Sequence, residues 1–212
     1  LKKAGVDVRV FTPKYGSINS ALLRTQNVLQ GLKVPTGEEG PEHPAELICN
    51  VKTLKNPKAG DPIIYFLENR EYYEQRANVY GYSDDHIRFG LLSRSVLEFL
   101  GKSDFRPNII HINDWHTAYA ANFLETEHEG SDHLKGVGIL LSVHNLYQGV
   151  FDFDHATEMD SDDGKGPLAS FFSDRFYKQN ALKRGIVYSD VVNTVSQTYS
   201  REIMTEQYGN RL

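Results

Sequence analysis

Hydrogen-bonding side chains cluster directly after three apolar segments of this chain. The segments 108–112, 137–143 and 191–195 are followed by Asn113-Asp114-Trp115-His116, by His144-Asn145 and by Ser196-Gln197. Carboxylate, imidazole and amide groups all form hydrogen bonds with sugar hydroxyls, and the ring of Trp115 or Tyr147 can pack on a sugar face. Because a purely structural loop more often carries Gly, Pro or Ser, the pattern predicts a sugar-binding edge.

Each of these residues also has a structural interpretation, and these alternatives stay open at the level of sequence. Asp114 could cap the helix that follows it, since Asp is a preferred N-cap residue, and Trp115 suits a core position. His144 could be a structural histidine, but its place at the end of an apolar run favours function. His111 and His116 are separated by a predicted helix start, and no cysteine or further histidine lies nearby at ligand spacing, so we expect no metal site.

Two other kinds of site lack their sequence signatures. The chain has no Gly-x-Ser-x-Gly segment of the kind that presents a nucleophilic serine. The acidic segment 152–166 contains Asp160-Ser161-Asp162-Asp163-Gly164, but it lacks the ligand spacing and the closing Glu of an EF-hand loop. We therefore expect this segment to be a flexible loop.

The elements that position the polar residues alternate between strands and helices. The later strand-like segments are apolar on both faces, which is typical of parallel strands covered by helices on both sides. The alternation predicts an α/β fold with a Rossmann-like, doubly wound, mostly parallel sheet and helices on both faces. Ligands bind such sheets beyond the carboxyl ends of the strands. The expected strands are 6–11, 28–34, 47–54, 63–67, 108–112, 137–143 and 191–195. The expected helices are about 84–100, 117–127, 171–185 in one or two pieces, and 197–206. Ser83 and Gly101 are the expected caps of the first of these helices, and Ser196 is the expected cap of the last.

Composition excludes several classes of protein. The 212 residues fit one somewhat large domain. With 23 basic and 28 acidic residues the net charge is −5, which argues against a nucleic-acid binder. Cys49 is the single cysteine, so no intrachain disulfide can form and a reducing compartment fits. No apolar run approaches the roughly 18 residues of a membrane span, and we expect no signal peptide, no membrane partner and a cytoplasmic location.

Several segments resemble, in the same order along the chain, those of bacterial and plant glycogen and starch synthases. Each match alone is weak, but together they are specific and span the sequence. The matching segments are Pro13-Lys14-Tyr15-Gly16, Tyr80-Gly81-Tyr82 with Asp85, Arg88 and Phe89, His111-Ile112-Asn113-Asp114-Trp115-His116-Thr117-Ala118, Ser142-Val143-His144-Asn145-Leu146-Tyr147-Gln148-Gly149, Leu182-Lys183-Arg184-Gly185-Ile186 and Thr194-Val195-Ser196-Gln197-Thr198-Tyr199-Ser200-Arg201-Glu202-Ile203.

The resemblance implies a glycosyltransferase of the two-domain B type (GT-B). Such an enzyme transfers glucose, with retention, from ADP-glucose (UDP-glucose in some members) to the non-reducing end of an α-1,4-glucan. It implies no cofactor or metal, since arginine and lysine side chains can hold the diphosphate. The implied location is the cytoplasm, or the plastid for a plant protein.

The matched positions also imply roles for individual residues. His144 and Asp114 are the expected catalytic residues, with His144 contacting the 6-hydroxyl of the donor glucose. Asp114 and His116 are expected to line the cleft near the transferred sugar and the acceptor. Asn145 and Gln148 are expected to shape the same loop, and Tyr147 completes the predicted substrate-binding set.

The chain departs from the family pattern in two respects. No alanine separates Leu146 from Tyr147, so the loop is one residue shorter than usual. The family's first strand with its Lys-Thr-Gly-Gly-Leu loop, and its C-terminal nucleotide-binding domain, have no counterpart in residues 1–212. The chain also starts without Met, in a pattern that resembles a helix end capped by Gly5. We therefore expect a partial N-terminal, acceptor-side domain that is inactive alone and can self-associate through exposed sheet edges.

Two rival functions remain open on this information. One is another GT-B enzyme, such as a sucrose- or trehalose-type synthase, which shares the domain plan but not the combined Asp-Trp-His and Leu-Lys-x-Gly-Ile pattern. The other is a non-catalytic module that binds glucan and keeps the fold.

Overall fold

The computed structural model describes residues 1–147, 161–209 and 212. Gln148 and most of the acidic segment 152–166 lie outside these ranges. Within them, the strand–helix alternation expected from the sequence is present, and the α/β fold class is confirmed. The chain begins with a short 3₁₀ helix (Lys2–Ala4) that ends at Gly5, whose left-handed backbone (φ 83°) matches the expected glycine cap.

The first half of the chain forms a four-stranded mixed sheet. Its order is β1-β4-β3-β2, with β1 parallel to β4 and with β3 antiparallel to both β4 and β2. A four-residue helix α1 and a π-helix (Arg70–Glu74) flank these strands. The elements are β1 (Arg9–Pro13), α1 (Ser20–Leu23), β2 (Thr25–Pro35), β3 (Glu46–Leu54) and β4 (Ile63–Glu68).

The second half forms a three-stranded parallel sheet in the order β5-β6-β7. Since the strands are adjacent and parallel, their carboxyl ends meet at one edge, where Asn113 pairs with Ser142 and Val143 with Thr194. This edge is called the rim below. The elements are α2 (Asp85–Lys102), β5 (Ile109–Asn113), α3 (Asp114–Glu127), β6 (Gly138–Val143), α4 (Asp174–Lys178), α5 (Ala181–Tyr188), β7 (Val191–Thr194) and α6 (Gln197–Glu202).

Helices α2, α3 and α5 connect the two sheets through one core. Helix α2 packs against β1, β2 and α3, while α3 and α5 pack against each other and against β6. The approach of α3 to α5 requires Gly185, because a Cβ atom there would lie 2.7 Å from the Cβ of Ala118. The close contact fixes α3, whose first residues carry the site described below.

The helix boundaries agree with the sequence predictions only in part. Helix α2 begins at Asp85 and runs through Lys102, so the expected caps at Ser83 and Gly101 are wrong. Its start is held instead by the carboxylate of Asp85, which accepts hydrogen bonds from two backbone N–H groups upstream. The segment 171–185 forms two helices, and Ser196 caps α6 as predicted by accepting from the N–H of Tyr199.

Only the central strand of the parallel sheet is well buried. Ile109 in β5 and Val191 in β7 are 64% and 56% exposed, so the expectation that these strands are buried on both faces is wrong. An apolar run shows that a strand can be covered, but not which of its faces a neighbouring helix reaches. None of the helices in the described part of the chain has the length and apolar character that crossing a membrane requires.

Candidate sugar-binding site

Asp114 connects the ends of β5 and β6. It is the first residue of α3, and its Oδ1 accepts hydrogen bonds from the backbone N–H groups of His144 (2.7 Å) and Asn145 (3.4 Å). The alternative that Asp114 caps the helix is wrong, since the carboxylate binds a loop 30 residues away. Thr117 serves the helix start instead, because its hydroxyl accepts from the N–H of Asn113 and donates to the Asn113 carbonyl.

The backbone of Asp114 is in the left-handed region, with φ of 51°. A non-glycine residue in this conformation costs on the order of 1–3 kcal/mol and persists only where its surroundings hold it. The two hydrogen bonds to the β6 loop supply part of that restraint. Such strained residues cluster at functional sites, which supports a role for this carboxylate beyond folding.

His144 presents an exposed imidazole on a fixed backbone. Its N–H is held by Asp114, and its Nε2 lies 3.2 Å from Oδ1 of Asn113. The ring therefore stands at the rim between the ends of β5 and β6, open to solvent. A ring placed in this way can exchange a hydrogen bond with a sugar hydroxyl without any backbone movement.

Asn145 and Tyr147 form a tight turn beside His144. The side-chain oxygen of Asn145 accepts from the N–H of Tyr147 at 2.9 Å. The ring of Tyr147 lies 6.0 Å from that of Trp115 and is 38% exposed. Burial, with smaller contributions from Asp85 and Tyr177, raises the pKa of Tyr147 to about 12, so the phenol stays neutral and can donate a hydrogen bond.

His116 is held among aromatic rings. Its ring centroid lies 4.3 Å from Trp115, 4.7 Å from Phe89 and 5.9 Å from Tyr80. Burial lowers its pKa below the usual value, against the smaller raising effects of Asp114 and Asp85. His116 is therefore neutral at physiological pH and can both donate and accept. Trp115, only 3% exposed, is a core residue, as one interpretation of the sequence had it.

A buried ion pair holds a segment that the sequence analysis did not include in the site. Asp85 and Arg88 are 1% and 0% exposed and pair with each other. Oδ2 of Asp85 accepts hydrogen bonds from the N–H groups of Gly81 (2.6 Å) and Tyr82 (3.1 Å). The guanidinium group of Arg88 donates hydrogen bonds to the backbone carbonyls of Tyr72 (2.6 Å) and Val79 (3.1 Å). These bonds fix the segment 79–82, and Tyr80 within it contacts His116. The matched Tyr80-Gly81-Tyr82 segment was the available sequence signal.

Three polar residues link the strands of the parallel sheet. Nε2 of His111 lies 2.7 Å from the hydroxyl of Ser142, which donates to Oδ1 of Asn193 at 2.6 Å. His111 thus takes part in the hydrogen bonding between the strands. Among residues 1–147, 161–209 and 212, no group of three or more His, Cys, Asp or Glu side chains is arranged to hold a metal ion.

Comparison with known proteins gives a family. A family model described as starch synthase catalytic domain matches residues 1–212. The chain is 37% identical over 215 residues to a glycogen synthase from Desulforamulus reducens and 36% identical over 217 residues to one from Clostridium kluyveri. It belongs to the starch synthase catalytic domain family. Each alignment covers all of this chain and 42% of the relative, so the chain spans about two fifths of their length.

A solved structure has the same fold. It is the catalytic domain of starch synthase IV from Arabidopsis thaliana bound to ADP and acarbose. The TM-score is 0.75 and the sequence identity is 23%, and the match covers all of this chain and 42% of the starch synthase chain. This likeness supports the GT-B, Rossmann-like architecture.

Within this family fold, the predicted site residues fall into three groups. Asp114, His144 and Asn145 are directly linked by hydrogen bonds. The rings of His116 and Tyr147 both contact the ring of the buried Trp115. Gln148 lies outside the described residues, and the roles assigned to all six remain predictions. The arrangement offers a carboxylate, neutral imidazole and phenol, which suits hydroxyl recognition.

Proposed function

We propose that this chain is the N-terminal, acceptor-side domain of a GT-B glucosyltransferase. The complete protein would transfer glucose, with retention, from ADP-glucose or UDP-glucose to the non-reducing end of an α-1,4-glucan, in the cytoplasm or in a plastid. Family membership and the glycogen synthases it resembles support this activity over a sucrose- or trehalose-type transferase. A transfer assay separates it from a non-catalytic glucan-binding module.

One observation carries the proposal: the carboxylate of Asp114 joins two strand ends so that His144 stands exposed at the rim. A retaining glucose transfer passes through a transition state in which the sugar resembles an oxocarbenium ion, and the nucleoside diphosphate of the donor is the leaving group. Positioned hydrogen bonds to the sugar stabilise that state because they need no rearrangement during the reaction. His144 would bind the donor glucose, while Asp114, His116, Asn145, Tyr147 and Gln148 would shape the cleft.

The leaving diphosphate needs positive charge. The rim residues described above are acids, imidazoles, amides and phenols, and Arg88 beside them is buried and paired with Asp85. We propose that arginine and lysine side chains outside residues 1–212 supply that charge without a resident metal. On this proposal the 212-residue chain alone transfers no glucose from ADP-glucose.

The test is His144→Ala in the complete protein. Because the His144 backbone is held by Asp114, the variant should fold normally, and turnover should fall roughly a hundredfold or more through loss of a transition-state contact. Glucose incorporation into glycogen from ADP-glucose and UDP-glucose measures the effect, with circular dichroism as the control for folding. Turnover close to that of the parent would remove His144 from the site.

A further inference from the structure

A cavity of about 350 Å³ lies at the end of α2 that is remote from the rim. Helix α2 begins beside the candidate sugar-binding site, where Asp85 holds the segment 79–82, and it ends at this cavity with Lys102. At a rise of roughly 1.5 Å per residue, the helix spans about 25 Å. A small ligand in the cavity therefore does not reach the rim residues.

The guanidinium group of Arg9, which lines the cavity, is oriented by three contacts. It lies 3.8 Å from the ring centroid of Phe105, and it donates hydrogen bonds to the hydroxyl of Tyr65 (2.9 Å) and to the carboxylate of Asp7 (3.2 Å). The Asp7 side chain is 53% exposed, so water screens much of its attraction for the cation. A guanidinium group has more N–H donors than these two bonds use, and its planar fork suits phosphate oxygens. Arg9 therefore offers a positive group that is already oriented.

The surroundings of the cavity are basic, although the whole chain carries a net charge of −5. Lys102 is exposed, and no acidic side chain in the described part of the chain pairs with it. Arg106 is attached to the lining, because it donates to the backbone carbonyl of Ser103. The basic side chains on or beside the lining outnumber the acidic ones, since they are Lys2, Arg9, Lys102 and Arg106 against Asp7 and Asp104. This local excess of positive charge favours an anionic ligand.

The rest of the lining suits a hydroxylated organic ring. Tyr65, Phe99 and Phe105 supply aromatic surface, and Asp104 supplies a carboxylate. Aromatic rings pack against the C–H face of a sugar, and a carboxylate accepts hydrogen bonds from its hydroxyls. The volume lies at the lower end of the roughly 300–1,000 Å³ that is usual for small-ligand sites, so a ligand with one ring fits better than an oligosaccharide.

We propose that this cavity binds a sugar phosphate. Arg9 and Lys102 hold the phosphate group through charge-assisted hydrogen bonds, while the sugar ring lies against the aromatic side chains and its hydroxyls bind Asp104. The site goes beyond the proposed transfer and does not depend on it, because none of the rim residues takes part.

The experiment titrates the complete protein with ribose 5-phosphate, glucose 6-phosphate, inorganic phosphate and glucose in a calorimeter. The parent should bind both sugar phosphates more tightly than it binds inorganic phosphate or glucose. Lys102→Ala should weaken the binding of the sugar phosphates roughly tenfold, through loss of a charge-assisted hydrogen bond. Because Lys102 is exposed, this variant should fold normally, which circular dichroism checks. Arg9→Lys keeps the charge but removes the planar fork, so it should weaken binding as well.

Lys33→Ala is the control of equal charge. Lys33 is 62% exposed and pairs with Ile48 in the strand register, towards the carboxyl end of β4, whereas Arg9 pairs with Ile63 at the amino end. This control should bind the sugar phosphates as the parent does. Equal weakening in Lys33→Ala and Lys102→Ala would show a general effect of charge and overturn the site.

Two further outcomes would also overturn the assignment. One is a parent protein that binds neither sugar phosphate, which leaves the proposed function standing because His144→Ala tests it separately. The other is binding that is lost in His144→Ala but retained in Lys102→Ala, since that result places the ligand at the rim.

Discussion

The carboxylate of Asp114 joins the ends of two strands, because it accepts hydrogen bonds from the backbone of His144 and Asn145. Its position after an apolar strand predicts a site residue, and the structure places it beside His144 as expected. Its left-handed backbone could not be predicted, because the partners that hold it arrive 30 and 31 residues later. Tyr80 was missed because His116, the ring that it contacts, lies 36 residues later in the chain.

The Asp114 link can be tested with a matched pair of variants. Asp114→Ala removes both hydrogen bonds and should lower the free energy of unfolding by about 1.5–3 kcal/mol, the range for a hydrogen bond to a charged group. Asp114→Asn keeps an acceptor oxygen and a residue type that tolerates the left-handed region, so it should lose no more than about 1 kcal/mol. Urea unfolding followed by Trp115 fluorescence measures both. Equal losses would mean that the link does not stabilise the rim.

At the scale of elements, the start of α2 controls the segment 79–82. The buried carboxylate of Asp85 has Arg88 as its counter-ion, and both bind backbone groups of that segment. The segment in turn carries Tyr80 to His116. The pair therefore positions part of the candidate site, although its own side chains are buried.

We expect Arg88→Met to destabilise the fold by about 3–5 kcal/mol, because it leaves Asp85 buried without its counter-ion. Lys33→Met is the matched control, since Lys33 and Glu46 form a pair whose side chains are 62% and 41% exposed. Loss of that pair should change the free energy of unfolding by about 1 kcal/mol or less. Chemical denaturation measures the free energy of unfolding of Arg88→Met and of the control variant. Similar small losses in both variants would show that the buried pair does not hold the segment.

The elements themselves were largely predictable, and their arrangement was not. Apolar runs predicted the seven strands of the described residues to within a few positions, because the alternation that marks a strand is local. The division into a mixed and a parallel sheet depends on which strands pair. Strand pairing joins segments that are far apart in the chain, so a local pattern does not predict it. For the same reason, the exposure of Ile109 and Val191 could not be derived from their apolar neighbours.

The parallel sheet exposes two large apolar side chains where its outer strands begin, Ile109 in β5 and Val191 in β7. Ile109 pairs with Gly138, and Leu140 pairs with Val191 in the next strand. Since residues two apart in a strand point to the same side, Ile109, Leu140 and Val191 share a face. Ile109 and Val191 are mostly exposed there, and β5 has a paired neighbour on one side only among the described strands.

Exposed apolar faces and unpaired strand edges promote association, so we expect the 212-residue chain to self-associate in solution. The association should persist at high salt, because screening weakens contacts between charges and not the burial of apolar surface. The double variant Ile109→Lys with Val191→Lys should shift the chain towards monomer in light scattering and sedimentation. Leu22→Lys is the control, since Leu22 is 80% exposed but lies on α1, away from this sheet. A chain that is monomeric at every concentration, or that responds equally to both changes, would contradict association through this face.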